Sequence, residues 1–243
     1  ARGCAVDVLN ASLPGFSLPT LLAGFGHSAG VTGAVAAIIY PTPVQYLQAA
    51  RPAFVPPAPV GARAADGLVG LRVARRLRDH AKSVVPDWLK TALRQLEIKE
   101  QRRQLAGDPL WTTVPDERLG AFIDDLGALV DSLEGRGITP VLATHANAFP
   151  PGVPRDRTRL VAWAKFYPRA DPALLPVFDS VANLRIRELA ARRGLTIADP
   201  AVAFAAPDPG PEFADFSHFT DQGAARMAGV LVPAVLSLLP CGR

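Results

Sequence analysis

Asp116-Glu-Arg-Leu-Gly-Ala-Phe-Ile-Asp-Asp-Leu-Gly-Ala-Leu-Val-Asp-Ser-Leu-Glu-Gly135 is followed a few residues later by Pro140-Val-Leu-Ala-Thr144. In the first stretch Leu119, Phe122, Ile123, Leu126, Leu129, Val130 and Leu133 recur at three- and four-residue spacing. That places them on one face of a helix that Gly135 ends. The second stretch is a short, unbroken apolar run, as a strand covered on both faces requires. Helix followed by buried strand is the repeating unit of a parallel α/β sheet.

The same alternation extends in both directions. Ala5–Leu9, closed by Asn10, and Ala34–Tyr40, closed by Pro41, read as strands, and Leu195–Ala198 reads as another, ending at Asp199–Pro200. Asp171–Arg193 is a helical stretch with Leu175, Val177, Phe178, Val181, Leu184, Ile186 and Leu189, stopped by Gly194. Thr220 is placed to cap a last helix running to about Leu239, bent at Pro233. A helix over about Ser17–Gly26 follows the first strand, and no internal repeat occurs.

At 243 residues the chain is long enough for one substantial core, read as a single domain over 1–243 with a basic helical insertion at about 50–112. Hydrophobic residues at 49% and charged residues at 20% exclude a disordered polypeptide. No apolar run reaches the roughly 20 residues of a membrane span; the longest candidate is Gly229–Leu239. Cys4 and Cys241 lie at opposite ends, and the four histidines show no paired ligand spacing, so the sequence points to neither a disulfide framework nor a metal site.

The net charge of +4 is uneven, with 11 Lys/Arg against 5 Asp/Glu between Val60 and Gln104. These cations fit a solvated helical face or a patch facing an anionic partner such as a lipid headgroup or acidic glycan. No stacking aromatics interleave them, which argues against a nucleic-acid partner.

Chemistry concentrates near the C-terminus, where Phe213–Met227 reads F-A-D-F-S-H-F-T-D-Q-G-A-A-R-M. Asp215 and His218 are three residues apart, and a short turn can bring the carboxylate onto the imidazole Nδ1, leaving Nε2 free to take a proton. An exposed loop Asp and His would give the same D-x-x-H spacing.

With the helix that follows, D-x-x-H-F-T-D-x-G resembles the final block of the SGNH (GDSL-like) ester hydrolases. Gly137-Ile-Thr-Pro-Val-Leu-Ala-Thr144 and Gly194-Leu-Thr-Ile-Ala-Asp199 are similar to that family's fourth and fifth strands, and Val8-Leu-Asn-Ala-Ser-Leu-Pro-Gly-Phe-Ser17 to its second block. The resemblance implies a three-layer α/β/α fold with a flavodoxin-like parallel sheet. It implies catalytic roles for His218 and Asp215, and an acyl ester as substrate, on a small molecule, a glycan or a lipid. It implies no metal and no organic cofactor. Gly15 would donate its backbone N–H to the oxyanion hole, although a plain strand-to-helix turn also explains a glycine there. Asn10 and Gln45 complete the oxyanion and substrate-binding set.

The chain departs from the family twice. The family's third block carries a G-x-N-D-like run whose Asn completes the oxyanion hole; here Pro41-Thr-Pro-Val-Gln-Tyr-Leu47 has neither Gly nor Asn, and Gln45 is the available amide. The first block, G-D-S, which carries the nucleophile, occurs nowhere in the 243 residues. The resemblance therefore implies a central strand and a helix ahead of Ala1, and the chain as given is expected to be a poor catalyst. A catalytically inactive glycan- or lipid-binding module is the alternative.

Gly26-His-Ser-Ala-Gly30 matches G-x-S-x-G, which would make Ser28 an α/β-hydrolase nucleophile. The helix expected ahead of it would carry Ser28 toward the wrong edge of the sheet. Ser12, Ser17 and Ser217 read as structural, and His27 and His80 as surface residues. His145 and Asn147 follow a strand at the correct edge, where either a pocket wall or turn chemistry accounts for them.

Overall fold

The computed structural model describes residues 6–10, 17–25, 33–48, 86–105, 110–151, 156–205 and 210–239. The elements are α1 (Leu18–Phe25), β1 (Ala36–Ile39), α2 (Asp87–Gln104), α3 (Asp116–Glu134), β2 (Thr139–Ala143), α4 (Arg157–Ala164), α5 (Leu174–Arg193), β3 (Thr196–Ala198), α6 (Pro200–Ala203) and α7 (Asp221–Leu236). Single 3-10 turns form at Pro43–Leu47 and Gly210–Glu212. The fold is α/β, with a parallel sheet in the order β1-β2-β3.

Register explains which side chains meet which helices. Ile39 stands beside Leu142 and Leu142 beside Ile197, so this row faces one side of the sheet. Ile39 and Leu142 join the main core with Phe122, Leu126 and Leu129 of α3 and Phe178, Ala182 and Ile186 of α5. Ile38, Val141 and Thr196 form the opposite row. Over that row, α7 packs against β2 and β3. Val141 is fully buried while Ile38 remains 41% exposed, so β1 is covered on one face only among the described residues.

Three expectations shift. Residues 6–9 of the predicted first strand are exposed, with Val8 at 88%, and join no strand ladder among the described residues. An apolar run without a ladder partner gains neither hydrogen bonds nor burial. The predicted helix from Asp171 begins at Leu174, because the Asp171 carboxylate caps the Ala173 N–H in a turn ahead of it. On that helix Val177 and Leu184 point to solvent, while Asp179 and Asn183 are buried in their stead. Gly194 ends it in the left-handed region, φ 63°, which a residue without Cβ adopts freely. Of the basic insertion, α2 lies within the described residues. It packs on α4, with Ile98 buried and the Arg102 guanidinium donating to the carbonyls of Pro168 (2.8 Å) and Ala170 (3.0 Å).

Candidate active site

Ligand sites of parallel α/β sheets lie outside the carboxyl ends of the strands. Here that edge carries Tyr40, the segment Thr144-His-Ala-Asn147, Asp199 and the turn before α7.

Asp199 ties the ends of β2 and β3 together. Its carboxylate accepts the Thr144 hydroxyl (2.7 Å), a two-pronged Arg187 guanidinium (2.7 and 2.9 Å) and the Val202 N–H at the start of α6. Burial raises its pKa, but the bonds from Arg187 and Thr144 outweigh burial and hold it below the usual carboxylate range.

Beside it lies a buried polar cluster. His145 Nδ1 donates to the carboxylate of Asp179, 2.9 Å from Oδ2, and Asn147 donates to that same oxygen at 2.6 Å. Asn183 Oδ1 accepts the His145 N–H (2.7 Å), and its Nδ2 donates to the His145 carbonyl (2.8 Å). One side-chain amide thus satisfies both backbone groups where the β2 ladder ends. Tyr40 leans on the His145 ring, with centroids 5.4 Å apart, and its hydroxyl accepts the Ala146 N–H (3.1 Å). Burial pushes the Tyr40 phenol well above its ordinary pKa, and burial with the nearby Asp179 charge does the same to Tyr167.

The turn carrying Asp215 and His218 is held from three sides. Phe213 and Phe219 bridge as antiparallel partners and close an aromatic trio with Phe204, centroids 5.0–5.5 Å apart. The Phe216 ring stacks on Trp163, which stacks on Phe149, and the Ala148 N–H donates to the Phe216 carbonyl at 3.0 Å. Thr220 caps α7: its hydroxyl accepts the Gly223 N–H (3.2 Å) and donates to the Pro211 carbonyl (2.7 Å). Gly223 answers a steric demand, since a Cβ there would stand 2.0 Å from the Glu212 carbonyl oxygen. Arg226 then pairs with Glu212 across this crossing.

Within the turn, Asp215 Oδ1 accepts the N–H groups of Ser217 and His218, each at 2.9 Å, and Oδ2 lies 2.7 Å from His218 Nδ1. The donors from Ser217 and His218 outweigh the upward push of partial burial and lower the Asp215 pKa. A carboxylate on Nδ1 fixes the tautomer and turns Nε2 outward. The His218 side chain is 76% exposed. Among the described residues no hydroxyl or thiol bonds to its ring.

The remaining sequence-singled residues are dispersed. Gln45 sits half-buried on the turn after β1, and Asn10 is exposed in the segment 6–10. Gly15, Ser12, Ser28, His27 and His80 lie outside the described residues. Ser17 is buried and bonds to the Thr20 hydroxyl at 3.0 Å as the cap of α1. His145 and Asn147 belong to the buried cluster, whose members Asp179 and Asn183 carry no motif in the sequence. The available signal was two polar residues four apart on the apolar face of α5.

No family model matches the chain, and no curated protein matches it. Among solved structures it is similar to a GDSL-like lipase from Bacteroides thetaiotaomicron, at 13% identity and a TM-score of 0.40, over 50% of this chain and 54% of that one. The match therefore spans about half the length of that lipase.

Proposed function

We propose that this chain belongs to a serine ester hydrolase in which His218 is the general base and then acid, and Asp215 its orienter. The observation that carries the reading is the Asp215 carboxylate, anchored by two backbone N–H groups and set 2.7 Å from His218 Nδ1, with the imidazole open to solvent beyond it. This is the arrangement a proton relay needs: one nitrogen committed, the other available, and a fixed negative charge to stabilise the imidazolium.

The nucleophile in this reading is a serine that the described residues do not include. Its Oγ attacks the acyl carbonyl while its proton passes to His218 Nε2. The tetrahedral oxyanion is received by the Gly15 N–H and the Gln45 amide. His218 then protonates the leaving alkoxide, and water hydrolyses the acyl-enzyme by the reverse relay. The substrate is an acyl ester, with an O-acylated glycan preferred over a lipid.

The test is fluorophosphonate labelling of the protein at its full natural length, with peptide mapping and p-nitrophenyl acetate turnover. The expected result is a labelled serine in a G-D-S context, with labelling and turnover both lost in His218→Ala. A label on Ser28 would transfer the chemistry to G-x-S-x-G. No label and no turnover, with a retained glycan ligand, would make this a binding module.

A further inference from the structure

The rings beside His218 run from the core to the surface. Phe149 and Trp163 are buried and stacked, with centroids 5.5 Å apart, and Phe216 continues the stack 5.6 Å from Trp163. Phe216 is half-buried and meets two further rings, the His218 imidazole at 6.2 Å and Phe166 at 6.0 Å, tilted by 59° and 54°. Phe166 is 59% exposed. Its backbone is held where α4 ends: the Phe166 N–H donates to the Trp163 carbonyl (3.1 Å), the Tyr167 N–H to the Ala164 carbonyl (3.0 Å), and the adjoining Lys165 pairs with Glu97 at 2.7 Å. Ser217, between Phe216 and His218 in the turn, gives its N–H to Asp215, while its hydroxyl makes no hydrogen bond among the described residues.

We propose, resting on the ester hydrolase reading, that Phe166 and Phe216 hold the alcohol half of the ester, a pyranose ring set with one C–H face on the two phenyl rings. In that reaction His218 protonates the leaving alkoxide, which brings the alkoxide oxygen within about 2.6–3.2 Å of Nε2. The carbon skeleton attached to this oxygen therefore lies beside the imidazole, where Phe216 is the neighbouring ring and Phe166 the next one outward. The acyl carbon is bonded to the nucleophile at that stage, so the acyl group lies on the far side of the scissile bond. Exposure favours a sugar over an aliphatic chain. A chain gains only by leaving water, which takes an enclosed apolar cleft. A pyranose lays one apolar face on a ring and keeps its hydroxyls wet, so two solvent-open phenyl groups suffice, with the Ser217 hydroxyl uncommitted beside them.

The experiment is kcat/KM of the protein at its full natural length on esters of primary alcohols. These are ethyl acetate, cyclohexylmethyl acetate, ethyl hexanoate and methyl glucopyranoside acetylated at its primary hydroxyl. The acetylated pyranoside should exceed ethyl acetate by about fivefold or more, and Phe166→Ala should bring that ratio to within about twofold of one. Phe166→Tyr keeps a ring in place and should keep the preference. Phe166 is exposed, so both variants should retain the parent thermal midpoint. Equal rates on the acetates overturn the proposal, as does a pyranoside preference that survives in Phe166→Ala. A gain confined to ethyl hexanoate or to cyclohexylmethyl acetate also overturns it, because the rings would then take an apolar acyl chain or an apolar alcohol. In each of these outcomes turnover persists and the ester hydrolase reading stands. No turnover on any of the esters overturns the reading and the sugar subsite together.

Discussion

Among the described residues two His–Asp pairs stand at the same edge of the sheet, one buried and one exposed. His145 and Asp179 are 3% and 0% exposed, with Asn147 bonded to the Asp179 carboxylate, Asn183 to the His145 backbone and Tyr40 against the imidazole ring. His218 and Asp215 are 76% and 42% exposed, and beyond the carboxylate the imidazole is open. Both imidazoles give Nδ1 to a carboxylate, so that contact alone does not mark a reactive pair. What differs is where the network spends its bonds. Around the inner pair Asn183 and Tyr40 bond the backbone of residues 145 and 146 while Asn147 bonds the Asp179 carboxylate, and together they fix how β2 ends. In the outer pair the bonds go to the carboxylate and leave the ring available.

The largest effect that sharpens this contrast falls on activity. His218→Ala in the full-length protein should lower kcat by about 10⁴-fold or more, while urea unfolding moves by no more than about 0.5 kcal/mol, as for other surface changes. A variant that keeps its turnover would dissolve the functional distinction between the pairs. The inner pair should behave in reverse. Asp179→Ala strands His145 Nδ1 and the Asn147 amide in the interior, at a cost of about 3–5 kcal/mol, read from the denaturation midpoint. Were Asp179→Ala to leave stability unchanged, the inner cluster would not brace the end of β2.

A smaller effect tests the platform under the outer pair. Gly223→Ala sets a methyl 2.0 Å from the Glu212 carbonyl oxygen, so the first turn of α7 must move off the 210–212 turn. The expected loss is about 1–3 kcal/mol. Because Thr220 is bonded to both parts, the His218 ring should also lose its fixed orientation. Retained stability and an undisturbed imidazole NMR spectrum would show that the crossing relaxes without cost.

Much of this was legible in the sequence for reasons that are themselves local. Asp116–Glu134 matches its helix residue for residue because its apolar period and terminal glycine need no tertiary information. Thr220 announces itself as a cap, and D-x-x-H spacing closes within one turn. The inner pair escaped because it joins residues 34 apart, on the end of β2 and on α5, and its polar members are dispersed through an apolar pattern. The run Ala5–Leu9 fails for the converse reason: its strand propensity is visible, but residues 6–9 meet no ladder partner among the described residues. Within the basic helical insertion the inner face is not legible, because burial, which comes from packing, separates Ile98 from Leu96.

The smallest effect concerns acid. The folded-state pKa of Asp215 is lowered, so its contribution to stability is complete above the ordinary carboxylate value of about 3.9 and disappears as pH falls through the lower folded value. The group is partly exposed, so the change in global stability should be slight; the local consequence is larger. While Asp215 stays ionised, His218 should hold its proton on Nδ1, facing the carboxylate, when the ring is neutral, and keep that nitrogen bonded when the ring is charged. A ¹⁵N-detected imidazole titration should therefore show the Nδ1 hydrogen bond surviving below the ordinary carboxylate range and then failing. Failure at or above that range would mean that the Ser217 and His218 N–H groups do not anchor Asp215. The outer pair would then be two neighbouring surface side chains.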